Sequence, residues 1–304
     1  MTIMVLGSIN TDITVYGPSL PRAGETLFAE RYETELGGKG ANQAAAAARL
    51  GARVEFVGKT GCDSFGETAM ARLREFGVAT AFSTTDNAAG SGIAIIAVGA
   101  KGQNAISVVS GANMRIGEAE LEAVLPALAD ARILMMQLEI PIATCVAAAR
   151  AARELGVKVV LDPAPAPPGG LPGELYGLLD VITPNETEAE FLLGYQPDSM
   201  DEAARAAREL LARGARGAVV TLGARGAYVA GEGGEAFIPP FAVTPVSTVA
   251  AGDCFNAGLA VALAEGQSLF EAGRFASACG ALSTTKAGSA ISAPTREEVE
   301  RLLV

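Results

Sequence analysis

The segment Val249-Ala250-Ala251-Gly252-Asp253-Cys254-Phe255-Asn256 sets two small residues and a glycine directly before an aspartate. It follows a β-like run, Phe241 to Val249, and opens an apolar stretch, Phe255 to Leu263, that predicts a helix. An anion at such a junction can approach free backbone N–H groups at the positive end of the helix. Asp253 would then stand beside that anion as a base, the arrangement that phosphoryl transfer to a hydroxyl requires. The same residues also suit an ordinary helix start, with small side chains for packing and Asp253 as an N-terminal charge.

The 304-residue chain contains no histidine. Ser-His-Asp and Cys-His chemistry and His-ligated metals are thereby excluded, and base chemistry falls to a carboxylate, lysine, tyrosine or cysteine. Cys62, Cys145, Cys254 and Cys279 are widely spaced, which suggests neither a zinc site nor a disulfide framework. Buried thiols in a reducing, cytoplasmic compartment are the expectation. A formal charge of -11 argues against nucleic-acid and anionic-membrane partners. Phosphate must then be held locally, by backbone amides, a metal and a few cations. No apolar run reaches the ~18 residues that span a membrane, and Thr2 to Ile9 has no basic leader pattern.

These groups need a scaffold, and the hydrophobic pattern supplies one. Strand patterns at Met4–Leu6, Val54–Gly58, Ile133–Met136, Val157–Leu161, Val181–Ile182 and Gly217–Leu222 alternate with helical ones. The helices are expected at Asn42–Leu50, Phe65–Phe76, Glu118–Leu128, Ile142–Leu155, Glu186–Leu193 and Asp201–Arg213. That rhythm predicts βαβ units and a three-layer α/β/α sandwich around a mostly parallel sheet. Ile13–Tyr16 with Leu27–Leu36, and Gly92–Val98 with Ala105–Val109, look like strand pairs without helices. They predict a small antiparallel β-rich lid, inserted from about 13–36 and 92–109 into a single domain spanning 1–304.

Ligands of open parallel sheets sit beyond the carboxyl ends of the strands, and polar residues recur there. They are Gly7 to Asp12, Gln137 to Glu139, Asp162 to Ala164, Thr183 to Glu188 and Thr221 to Gly226, with the loop Gly37-Gly38-Lys39-Gly40-Ala41-Asn42. The loop lacks Walker A spacing, but its glycines let a polyol approach the backbone, with Lys39 and Asn42 as donors. Asn10, Asp12 and Glu139 add short-reach partners for adjacent hydroxyls of a small neutral ligand. Each segment is also compatible with a plain turn or cap.

Two segments make the chain resemble the PfkB family of carbohydrate kinases: Gly37-Gly38-Lys39-Gly40-Ala41-Asn42-Gln43-Ala44 and Ala250-Ala251-Gly252-Asp253-Cys254-Phe255-Asn256. The likeness runs from Met4 to about Pro294 and is strongest to members that phosphorylate ribose. It implies ATP-dependent phosphorylation of D-ribose at O5, with Asp253 as base and the amides of Ala250, Ala251, Gly252 and Asp253 as anion hole. Asn10, Asp12, Gly38, Lys39, Gly40, Asn42 and Glu139 would hold the sugar. Asn185 and Glu188 would support Mg²⁺ through water, and Thr221, Gly223, Ala224, Arg225 and Gly226 would line the ATP site with Gly252 and Ser277. The β-rich lid would make a homodimer contact. The resemblance also implies a monovalent-cation (K⁺) site at Ser247, Val249, Ser283, Lys286, Gly288 and Ser292. Ser247 stands where the family carries an aspartate, so the cage lacks its only full negative charge. Another PfkB-type kinase of a different sugar or nucleoside, or a non-catalytic sugar-binding relative, is the alternative. A nicotinamide-binding fold is excluded, because no GxGxxG follows the first strand.

Overall fold

A computed structural model describes residues 1–304. In chain order the first seven strands are β1 (Thr2–Leu6), β2 (Asn10–Gly17), β3 (Arg31–Gly37), β4 (Arg53–Val57), β5 (Lys59–Gly61), β6 (Thr84–Asp86) and β7 (Gly92–Gly99). They are followed by β8 (Asn104–Val109), β9 (Ile133–Met136), β10 (Lys158–Leu161), β11 (Val181–Ile182), β12 (Gly217–Thr221), β13 (Ala227–Gly231) and β14 (Gly234–Ile238). The helices begin with α1 (Lys39–Arg49), α2 (Ser64–Glu75), α3 (Glu118–Leu128), α4 (Ile142–Glu154) and α5 (Gly173–Leu178). They continue with α6 (Glu186–Leu193), α7 (Met200–Ala212), α8 (Ala251–Ala264), α9 (Leu269–Ser283) and α10 (Arg296–Leu303).

Eight strands form the main sheet in the order β14-β13-β12-β11-β10-β9-β1-β4. From β4 to β12 all neighbours are parallel, and the β12-β13-β14 edge is antiparallel. Alternate side chains serve opposite faces, as the period of a strand requires. Ile3 and Val5 enter a core shared with α1, α8 and α9, while Met4 and Leu6 enter one shared with α4 and α7. This is the three-layer sandwich read from the sequence. Helix α8 is apolar on every side and is buried from Asp253 to Ala264, so both its position and its axis are fixed by packing. No helix is long and apolar enough to cross a membrane.

The small sheet has the order β3-β2-β7-β8. Its outer pairs are antiparallel, but β2 and β7 run parallel, so the wholly antiparallel appendage expected from sequence is corrected to a mixed one. Its first strand starts at Asn10 rather than Ile13, because Asn10 pairs with both Gly37 and Gly92. Residues 27–30, expected in a strand, lie before β3.

A second correction concerns Phe241 to Val249, which reads as a strand but forms an irregular extended segment. Pro239 and Pro240 precede it, Pro245 removes a ladder donor within it, and the Val246 and Ser247 N–H groups instead donate to Thr284 O at 2.7 and 3.0 Å. The Asp253 turn is therefore entered from a loop. Helix α8 also begins four residues before the expected Phe255. The hairpin β13-β14 and the pair β5-β6 were not anticipated; both are short and rich in small residues.

Candidate active site

The parallel strands all end on one edge of the sheet, and there the polar segments meet. Helix α1 starts so close to the end of β1 that a Cβ on Gly40 would lie 2.6 Å from Ser8 N. Only glycine fits that crossing. The approach lets Ser8 accept from the new helix: Ala41 N–H donates to Ser8 O at 2.9 Å and Gly40 N–H to Ser8 Oγ at 3.3 Å. Glu139, beyond β9, completes the cap. Its Oε2 accepts from Lys39 N–H at 2.9 Å and Ser8 Oγ at 2.5 Å, placing a carboxylate at the positive end of α1. Ser8 was outside the expected set, although its place between Gly7 and Ile9 at the strand end was a signal for it.

Asn10 and Asp12 follow on one face of β2, two residues apart. The Oδ1 of Asn10 accepts from Asn113 Nδ2 at 2.7 Å, and Asn113 also bridges both backbone groups of Ile9. Asn113 was missed, because Gly111-Ala112-Asn113 reads as a plain turn. Burial, reinforced by Glu139, Glu35 and Asp253, raises the Asp12 carboxyl to about 7. Glu35 and Ser289 were missed as well. Ser289 N–H donates to Glu35 Oε2 at 3.2 Å and Ser289 Oγ donates to Leu36 O at 2.5 Å. These contacts join β3 to the loop after α9, a link that only the tertiary structure reveals.

Asp253 lies in the first turn of α8 and is 5% exposed. Its Oδ2 accepts from Asn42 Nδ2 at 3.0 Å and its Oδ1 from Gln43 Nε2 at 3.2 Å, so α1 presents two donors to it. Asn42 Oδ1 is buried without a partner. The helix dipole favours the ionised form of Asp253, so the sequence calls for no raised proton affinity. Instead burial pushes the carboxyl up, against the pull of Lys39, Asn42 and Gln43. A raised base accepts a proton more readily, which suits the role. Lys39 lies among the carboxylates. Burial opposes its charge, yet Asp162, Asp253, Glu139 and Glu188 together hold it above the usual lysine value.

The turn before Asp253 is strained. Ala250 has φ 58° and ψ 12°, and it is the only non-glycine residue with positive φ. That conformation costs an alanine about 1 kcal/mol or more. It points successive N–H groups outward: those of Gly252 and Asp253 have no protein partner, whereas Ala251 N–H donates to Thr248 O at 3.3 Å. Of the four amides expected to form the anion hole, that of Ala251 is thus partly engaged by its own turn.

The remaining expected residues lie on neighbouring segments. Asn185 and Glu188 form a reciprocal cap on α6: Asn185 N–H and Nδ2 donate to Glu188, and Glu188 N–H donates to Asn185 Oδ1. Burial raises the Glu188 carboxyl. Thr221 ends β12, and Gly223, Ala224 and Arg225 form the exposed turn that closes at Gly226. Arg225 pairs with Glu186 at 3.1 Å, which joins this turn to α6. Ser277 is half-buried on α9.

In the candidate cation segment, Ser247 Oγ accepts from Val249 N–H at 3.3 Å. Ser283 and Ser292 are fully buried and lie against the Cys254 thiol, which burial pushes up to about 12. Cys254 is therefore a packed neutral thiol rather than a nucleophile. Gly288 lies beside the Glu35 carboxylate. The Lys286 ammonium pairs with Glu298 at 2.8 Å.

The raised carboxyls have a consequence for stability. Asp12, Asp162, Glu188 and Asp253 all bind protons more tightly folded than unfolded. Their protonation stabilises the fold fully below about pH 4, and that contribution is lost as pH rises through their folded values, near 7 for Asp12. The ligand-free protein should therefore melt at a higher temperature near pH 5.5 than near pH 8. A thermal-shift series at fixed ionic strength checks this; a rising melting temperature over that window would contradict it.

The sequence profile of the pfkB family of carbohydrate kinases matches residues 1–296. The chain belongs to the PfkB family. Among PfkB proteins it is 42% identical over 302 residues to the ribokinase of Haemophilus influenzae, covering 99% of this chain and 98% of that one. It is 38% identical over 301 residues to the ribokinase of Bacillus subtilis, covering 99% of both. A solved structure of Arabidopsis thaliana ribokinase complexed with ribose and ATP superposes with a TM-score of 0.91 at 34% identity, over 99% of this chain and 98% of that one. The fold described above is thus that of a PfkB carbohydrate kinase.

Proposed function

We propose that this PfkB enzyme transfers the γ-phosphoryl group of ATP to the 5-hydroxyl of D-ribose. The observation that carries the reading is Asp253: a buried carboxylate with raised proton affinity, one residue beyond a free N–H and held by two donors from the sugar-side helix. The H. influenzae and B. subtilis relatives are named ribokinases, and the Arabidopsis relative holds ribose and ATP.

Asn10, Asp12, the 38–42 loop and Glu139 bind the sugar hydroxyls. Glu139 Oε2 is already engaged by Ser8 and Lys39, so its Oε1 addresses the sugar. Asp253 takes the proton from the 5-hydroxyl as the bond to phosphorus forms and the bond to the leaving ADP oxygen breaks. The Gly252 and Asp253 amides, with the Lys39 ammonium, hold the negative charge of the transferring group. Residues 221–226, Asn185 and Ser277 flank the nucleotide. Asn185 and Glu188, which cap α6 together, would hold Mg²⁺ through water. When bound, Mg²⁺ supplies neutralisation of phosphate charge.

The oxygens at Ser247, Val249, Ser283, Gly288 and Ser292 offer a monovalent cation neutral donors only. Turnover should therefore depend little on K⁺. The small sheet is read as a lid and dimer surface, and the protein as cytoplasmic. A coupled ADP-release assay over D-ribose, 2-deoxyribose, fructose and adenosine, with and without K⁺ at constant ionic strength, tests these points together. Ribose should give the highest kcat/KM. Turnover on none of them would overturn the kinase reading, and a steep rise with K⁺ would overturn the cation reading.

A further inference from the structure

Gln43 sits fully buried in α1, and its one amide nitrogen serves two carboxylates. It donates to Asp253 Oδ1 at 3.2 Å and to Asp162 Oδ2 at 2.8 Å, one hydrogen for each. Its oxygen accepts from Gln137 Nε2 at 2.6 Å. With two carboxylates at one end, the Gln43 amide has only one workable orientation, and that fixes the orientation of Gln137 in turn. The Gln137 oxygen has no partner and rests on Gly7, where an added Cβ would lie 2.1 Å away. Four segments of the chain therefore converge on a single amide orientation.

Asp162 is the member of this network to which the transfer reaction assigns no task. It follows β10, is 5% exposed, and has Gln43 as its only side-chain donor. We infer that Asp162 is a positioning residue for phosphoryl transfer, holding Gln43 against Asp253 and competing with Asp253 for the Lys39 ammonium. The inference rests on Asp253 being the base. The charged groups facing Asp162 are Lys39 from α1, Glu188 from α6 and Asp253 from α8. An ionised Asp162 draws Lys39 toward itself and disfavours the anion of Asp253. A neutral one leaves Lys39 to the base. Burial holds Asp162 well above the usual carboxylate range, against the pull of Lys39.

The test compares the full-length enzyme with Asp162→Asn, Asp162→Ala, Gln43→Ala and the Asp162→Ala/Gln43→Ala pair, at saturating ATP and sugar, as kcat against pH. Asp162→Asn keeps an acceptor for Gln43 but removes the charge. Its acid limb should move to lower pH by about half a unit, with sugar KM within about two-fold of wild type. Asp162→Ala and Gln43→Ala should each lower kcat about ten-fold, and the pair by no more than either alone, because they act as one unit. A purely structural aspartate would change stability without moving the acid limb. An acid limb of Asp162→Asn that coincides with wild type, or additive losses in the pair, would overturn the inference. If Asp162→Ala does not fold, the Asp162→Asn limb and the kcat of Gln43→Ala decide. An Asp253→Asn control separates the two readings. Should that control turn over normally, the base assignment fails and the inference with it; should it be inactive while the Asp162 variants match wild type, only the inference fails.

Discussion

Asp253→Asn lowers kcat by roughly 10²–10⁴-fold, the range over which a positioned general base contributes, while the sugar still binds within a few-fold of wild-type affinity. The substitution is nearly isosteric, so the fold has to absorb only a change of hydrogen-bond polarity. Wild-type Asp253 accepts from Asn42 and Gln43, and an asparagine amide would turn a donor against one of them. Asn42 can resolve this clash by a flip, because its Oδ1 is buried without a partner and is available to accept. Gln43 cannot, since Asp162 and Gln137 hold its orientation. The variant therefore folds with a repaired network and without a base. Sugar affinity from calorimetry in the absence of nucleotide and kcat from a coupled assay form the check. Near-wild-type kcat would remove Asp253 from the chemistry.

Gly252→Ala separates fold from function in the opposite way. A Cβ built at this position meets no atom within 4 Å and the residue is exposed, so the methyl group enters open space. Within α8 an alanine is favoured over glycine by up to about 1 kcal/mol, so thermal stability without ligands is maintained or rises slightly. That open space lies beside the free Gly252 and Asp253 amides, where the transferring phosphate would dock. Blocking such donors costs roughly 10²–10³-fold in turnover. The expected result is a protein at least as stable as wild type with normal sugar affinity and a severe loss of kcat/KM for ATP. Activity within about three-fold of wild type would show that the anion binds elsewhere.

The layer architecture was legible because buried parallel strands and alanine-rich helices write their periods directly into the chain. Helix α6 was read to the residue, since the Asn185 and Glu188 cap marks its start and Gly194 its end. The run before Asp253 was misread because residue type suggested a strand, while Pro245 removes a donor within it and its Val246 and Ser247 N–H groups turn to Thr284 O. In the site, the structure joins Lys39 to Glu139 by one hydrogen bond and Asn42 to Asp253 by another, and three of these four residues sit in or beside the glycine-rich segments that drew attention in the sequence. Those that act from unremarkable contexts were not legible. Asn113, Glu35 and Ser289 carry no local signature, and their roles arise from contacts made across more than 100 residues of chain. The raised proton affinity of Asp253 was missed for a related reason, because the depth of burial is set by α1 and α9 rather than by the turn itself.

Those sequence separations bear on how the molecule comes into being. Ser8 meets Glu139 across 131 residues, Gln43 meets Asp162 across 119, and Asn42 meets Asp253 across 211. Helices α1 and α9 can form from local information, yet the base has no donors until the first and last thirds of the chain have docked. Contacts of such range are among the slowest to close during folding, because their loop entropy must be overcome first. A nascent chain emerging from its N-terminus carries a complete sugar-side loop long before α8 exists to face it. Catalytic competence is thus a property of the final docking event, and returning activity would time that event more faithfully than returning helix content.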